Sequence, residues 1–260
     1  QLPYINEMDE LFANDQEVRL LKLVNGEVDY KSQSLQLSDA PLLLENQEKG
    51  GYAIQLKPKI AMQTISFNVT HPDEAKMSEA INRDTLNSTA YFGHGTLQQY
   101  TGFSPLPEYI DPKWKTYAME YNPDAAKTML DELGMKDVDG DGFRELPNGA
   151  PLVINMQFAT QGIAGQVVEL ISQDWANVGI KSTVKEVTPD EYRSAQSSNQ
   201  LDVGLWEKGQ PLGIILGNNE LWVPPFENYF AHRTGMLWAE WVDSKGASGV
   251  EPPDYVKTLM

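Results

Sequence analysis

Hydrophobic and polar positions alternate with a period of two along "PLVINMQFAT" (residues 151–160), where Leu152, Ile154, Met156 and Phe158 share one face. That period predicts a half-buried strand. The period then changes. Across residues 165–178, Val168, Leu170, Ile171 and Trp175 are the apolar positions of a helix, and Gly179 is its stop signal. "IKSTVKEV" (180–187) returns to strand character, "DEYRSAQSSN" (190–199) reads as a short helix, and "LDVGLW" (201–206) as another strand. Strands alternate with helices, so the pattern predicts an α/β or α+β class.

Upstream, residues 10–24 set Leu11, Val18, Leu21 and Val24 at helical spacing, with Asn14 or Asp15 as cap and Gly26 as the closing turn. Residues 52–69 read as two extended segments broken around Lys57-Pro58-Lys59. Residues 74–91 read as a helix with Met77, Ala80, Ile81 and Ala90 on one side. A further helix over 124–133 is entered through Asn122-Pro123 and closed by Gly134. From residue 206 onward regular periodicity fades. Trp206, Trp222, Trp238 and Trp241 fall there with Phe226, Tyr229, Phe230 and several prolines.

The chain has 260 residues, enough for a sizeable core and one or two domains. Its net charge of −17 argues against nucleic acid and anionic membrane as partners, because both call for basic surface. There is no cysteine, which excludes thiol catalysis, disulfides and Cys-ligated zinc. No apolar run approaches the ~18 residues a membrane span needs, and no signal peptide is recognisable. The opening Gln1-Leu2-Pro3 reads as a processed or truncated start.

Catalytic motifs are scarce. His71, His94 and His232 are the three histidines, and none lies in a metalloprotease spacing. No G-x-S-x-G is present. His94 sits between glycines in "YFGHGT", without a phosphate-loop Lys-Ser/Thr, and reads as a turn residue. The carboxylates are numerous, but no pair is singled out for glycosidase chemistry.

"DVDGDGFRELPNG" (137–149) resembles the start of a calcium loop. Asp137, Asp139 and Asp141 occupy ligand positions 1, 3 and 5, and Gly142 the sharp turn at 6. Position 12 is Asn148 rather than glutamate, and position 8 is Arg144 where an apolar anchor is usual. Glu145 could add an acid. Two readings stand: a structural calcium held by Asp137, Asp139, Asp141 and Glu145, or a polar turn whose carboxylates accept local N–H groups. The aromatic stretch also has two readings, core packing or a ligand-facing surface for peptide side chains or sugar rings.

Six segments, in order, resemble the extracytoplasmic solute-binding proteins of ABC importers, the oligopeptide- and dipeptide-binding class (family 5). They are "VRLLKLVNGEVDY" (18–30), "TISFNVT" (64–70), "MSEAINRDTLNSTAYFGHG" (77–95), "YNPDAAKTMLDELGM" (121–135), "DVDGDGFRELPNGAPLVINM" (137–156) and "ISQDWANVGIKSTVKEV" (171–187). The resemblance implies a two-lobed fold of the type II periplasmic-binding-protein kind, closing by a hinge on its solute. It implies a chain dominated by the second lobe and incomplete against the family pattern. Residues 1–60 would be a segment of the large lobe and 61–260 the second, ligand-closing lobe without its C-terminal return. A deletion or gap near 73–77 is a further expectation.

In such proteins ligand-facing positions lie around W-x-x-D. Trp206 matches the tryptophan, while Gly209 stands where peptide binders carry the aspartate. Trp206, Trp222 and Tyr229 are the expected ligand contacts. The implied activity is capture without catalysis, with no required cofactor. The ligand reading is oligopeptide first, oligosaccharide second and metal chelate third. A secreted carbohydrate-active enzyme and a calcium-dependent adhesion module are alternatives of other classes. The implied partners are a small solute and a membrane permease, for a monomer at the periplasmic or extracellular face, with a lipid anchor as an option.

Overall fold

Asp15 starts the first helix. Its carboxylate accepts the Val18 N–H at 3.0 Å and holds the N-terminus of α1 (Gln16–Val24). The chain leaves α1 through Gly26, whose φ of 71° suits a residue without Cβ, and the Gly26 and Glu27 N–H groups satisfy the Leu23 and Lys22 carbonyls. Two short helices follow, α2 (Ala40–Glu45) and α3 (Gln47–Gly50). The computed structural model describes residues 5–13, 15–32, 35–55, 62–67, 80–99, 108–208 and 235–260. The chain divides into two compact units, Gln1–Pro58 and Lys59–Met260.

In the first unit Leu23, Val24 and Leu43 are buried, with Leu20, Val28, Tyr52 and Ile54 packed against them. The Tyr52 hydroxyl donates to the Leu43 carbonyl at 2.9 Å. Of the apolar stripe expected on this helix, Val24 is buried and the rest is not. Val18 and Leu21 are 43% and 59% exposed, Leu11 precedes the helix, and the buried face runs through Leu20, Leu23 and Val24. Both faces carry apolar residues, so spacing alone does not select the one that meets Leu43. The expected cap Asn14 and the break at Lys57-Pro58-Lys59 lie outside the described residues.

The second unit runs β1 (Met62–Phe67), α4 (Arg83–Ala90), α5 (Pro123–Glu132), β2 (Val153–Phe158), α6 (Gly165–Ala176), β3 (Lys181–Glu186), α7 (Pro189–Ser197), β4 (Val203–Lys208), α8 (Met236–Asp243) and α9 (Asp254–Lys257). β2 and β3 pair in parallel, Val153 opposite Lys181 through Phe158 opposite Glu186. β1 and β4 pair antiparallel, Thr64 opposite Trp206. β4 also lies beside β2, where the Asp202 carboxylate accepts the Asn155 N–H at 2.7 Å.

The core sits where alternation and helical periodicity meet. Leu152, Ile154, Met156 and Phe158 are all buried, as the period of two predicts. They pack with Val167, Val168, Ile171 and Trp175 of α6, Ala126 and Leu130 of α5, and Val203 and Leu205 of β4. Each large side chain so buried contributes about 1.5–3 kcal/mol. Asn122 caps α5 by accepting the Ala125 N–H, Pro123 occupies its first turn, and Gly134 follows at φ 78°.

Two elements differ from expectation. α4 begins at Arg83, not in the mid-seventies; Ala80 and Ile81 are buried but precede it. Asn82 makes the boundary. Its side chain accepts the Thr85 N–H at 3.0 Å, and its own N–H donates to Asp174 on α6 at 2.8 Å. Burial pushes the Asp174 carboxyl above the usual aspartate range, opposed by that hydrogen bond. Met77 and the gap proposed near 73–77 lie outside the described residues. The second difference is α8, a helix inside the stretch that shows little periodicity in sequence, with Trp238 buried. Among the described residues no helix is long and apolar enough to cross a membrane.

Candidate functional site

The aspartate loop is a hydrogen-bonded corner between α5 and β2. Asp137 accepts the Gly140 and Gly142 N–H groups at 2.6 and 3.0 Å. Asp139 accepts the Asp141 N–H at 3.0 Å, and Asp141 the Phe143 N–H at 2.8 Å. Gly140 and Gly142 have φ of 83° and 92°, which their lack of Cβ permits. Glu145 is 9% exposed and its carboxylate accepts the Val138 N–H at 2.8 Å.

Arg144 anchors the corner. Its guanidinium donates to the Val178 carbonyl at 2.9 Å, and to the Met135 carbonyl and Asp131 carboxylate at 2.6 Å each. The charge-assisted hydrogen bond from Arg144 holds the Asp131 carboxyl below the usual aspartate range. The apolar anchor of a standard calcium loop is thus replaced by a cation tying three segments together.

Asp137, Asp139 and Glu145 bring carboxylate oxygens within 4.8 Å of one another. That spacing suits a hard cation, but three carboxylates fall short of the six to eight oxygens that calcium takes; each of the three also accepts a backbone N–H group. Asp141 is not part of this group. His94 lies exposed in a turn, its N–H on the Tyr91 carbonyl at 2.9 Å. Burial pushes the neighbouring Tyr91 hydroxyl up to about 12.

The second locus is the carboxyl end of the parallel strands. In open α/β sheets ligands collect outside that end. Here β2 passes into the turn 159–164, and α6 begins after Ala164 without a side-chain cap. Trp206 of β4 lies against this turn, in a cluster with Ala159, Val187, Tyr192, Ala195 and Leu201. The residue is 7% exposed, and its ring stands 5.0 Å from the Tyr192 ring at 32°. The Tyr192 hydroxyl accepts the Leu205 N–H at 2.8 Å, and Thr64 donates to the Trp206 carbonyl at 3.0 Å.

Of the three expected ligand contacts, Trp206 is placed at this end of the sheet. Trp222 and Tyr229 lie outside the described residues, as does Gly209. Glu207, partly exposed, follows Trp206 in β4. Gly162 and Tyr192, which seat the tryptophan ring, are not among the residues that the sequence pattern singles out. A glycine in a strand-to-helix turn was the available signal for the first.

Residues 1–212 match the family model for bacterial extracellular solute-binding proteins, family 5. The di/tripeptide-binding protein 1 of Pseudomonas aeruginosa is 22% identical over 219 residues, 76% of this chain and 39% of that protein. Among solved structures, the oligopeptide-binding protein OppA is similar at 25% identity and a TM-score of 0.66, over 95% of this chain and 43% of OppA. A mannohexaose-bound periplasmic oligopeptide-binding protein of Thermotoga maritima is similar at 27% identity and a TM-score of 0.62, over 75% of this chain and 38% of that one. The chain spans less than half the length of each of these relatives.

Proposed function

The chain belongs to the bacterial extracellular solute-binding proteins of family 5, and from that membership we propose that it captures a solute for an ABC importer. Its fold is of the type II periplasmic-binding-protein kind. The observation that carries the proposal is the family match over residues 1–212. The family is one of solute-binding proteins, and the proposed activity is binding without turnover. Residues 61–260 are assigned to the second lobe, with the carboxyl end of β2 and β3 as its ligand-facing edge and Trp206, Trp222 and Tyr229 as ligand contacts. The protein is proposed to act as a monomer at the periplasmic or extracellular face, lipid-anchored or free, and to deliver its solute to a membrane permease.

An oligopeptide is the first ligand reading, supported by the likeness to a di/tripeptide-binding protein and to OppA. An oligosaccharide is the second, favoured by Gly209 in place of the aspartate expected for pairing with a peptide amino group, and by the mannohexaose-bound relative. The aspartate loop is assigned a structural role that needs no metal.

A thermal-shift screen of the intact protein against trialanine and mannohexaose tests the proposal. A ligand at a hundred times its Kd stabilises by about 2.7 kcal/mol, a rise of several degrees. Stabilisation by trialanine alone supports the peptide reading, and stabilisation by mannohexaose alone overturns it. Hydrolysis of either compound overturns capture without turnover.

A further inference from the structure

The ring of Trp206 and the backbone of Gly162 occupy adjoining space. A Cβ at residue 162 would stand 2.4 Å from Cε3, 2.5 Å from Cδ2 and 2.9 Å from Cζ3 of that ring. Glycine is not needed here for its backbone freedom, since φ at 162 is outside the left-handed range. What residue 162 supplies is room. The ring has little freedom to yield, because Tyr192 packs against it and Tyr192 is itself tied to the Leu205 N–H. The turn beneath it is closed by the Gly162 and Ile163 N–H groups, both on the Ala159 carbonyl at 2.8 and 3.2 Å.

We infer that Gly162 and Trp206 are a positioning pair that fixes the β2–α6 turn at the ligand-facing edge of the sheet. The inference rests on the proposed function for the word ligand-facing, and on geometry alone for the pairing. At 7% exposure Trp206 offers a solute little surface. Its main contribution is to hold residues 159–164 in place, and it does not serve as an open platform for stacking a sugar ring.

The test is a double-mutant cycle in the intact protein, with Gly162→Ala and Trp206→Val, the valine keeping a strand former in β4. Amide hydrogen exchange is read at residues 162 and 163, and trialanine binding by calorimetry. Gly162→Ala is expected to speed exchange and weaken trialanine binding by about tenfold each, and to add no more than about twofold once the ring is gone. Exchange unchanged within about twofold in Gly162→Ala, or an equal effect in both backgrounds, overturns the pairing. If Trp206→Val fails to fold, exchange in Gly162→Ala decides alone. If neither trialanine nor mannohexaose binds the unaltered protein, the oligopeptide and oligosaccharide readings fall, while the exchange measurement still decides the pairing.

Discussion

In the β2–α6–β3 layer, Met156, Phe158, Val168, Ile171 and Trp175 all enter one core. In the Gln1–Pro58 unit, Leu23, Val24 and Leu43 are buried, while Phe12, Val18, Leu21, Leu42 and Leu44 stay exposed. Both regions carry ample apolar residues. They differ in the surface available to receive them. A sheet with a helix across it covers a whole face of each strand, whereas helices of four to nine residues present only a turn or two to one another. Apolar content therefore predicts burial poorly where elements are short.

The largest expected effect lies in the better-built region. Trp175→Ala should destabilise the second unit by about 3–5 kcal/mol in a denaturant melt, and Leu23→Ala the first by about 2 kcal/mol. A larger loss from Leu23→Ala would break the contrast. Next comes Arg144→Met, which leaves the Met135 and Val178 carbonyls without their donor and should cost about 2–3 kcal/mol. The Arg144–Asp131 contact also carries a pH signature. The folded-state pKa of Asp131 lies below its ordinary 3.8, so the contribution is fully present above that value and is lost as pH falls through the folded pKa. Asp131→Asn should flatten that part of an acid melt.

Asp137→Ala removes the acceptor for two glycine N–H groups and should cost about 1–2 kcal/mol. Calcium or chelator should leave the wild-type melting temperature unchanged; a rise of several degrees with calcium would overturn the metal-free reading of the corner. The smallest effect is expected for Leu21→Lys on the exposed side of α1, within about 0.5 kcal/mol. A greater loss in the intact protein would show that this face is covered, and would remove half of the comparison.

Much of the fold was legible because its signals are local. The alternation of Leu152, Ile154, Met156 and Phe158 marks β2, and Asn122, Pro123 and Gly134 bracket α5 within a residue. Family membership was legible too, through six ordered segments. The start of α4 was not, because Ile81 is buried by contacts from outside the helix while Asn82 is pinned by Asp174, 92 residues away. The candidate site was legible only as a tryptophan. Nothing near Trp206 in sequence reveals that Tyr192 and Gly162 enclose its ring.

Sequence by itself determined that β2, α5, α6, β3, α7 and β4 form, and that a polar turn separates α5 from β2. These follow from side-chain period, φ preference and hydrogen bonds reaching two to five residues. Tertiary structure decided which face of α1 is buried, that β1 pairs with β4, and that Trp206 is seated by a turn rather than open to solvent. Those outcomes depend on surfaces brought together from distant parts of the chain, and a local pattern does not encode its partner.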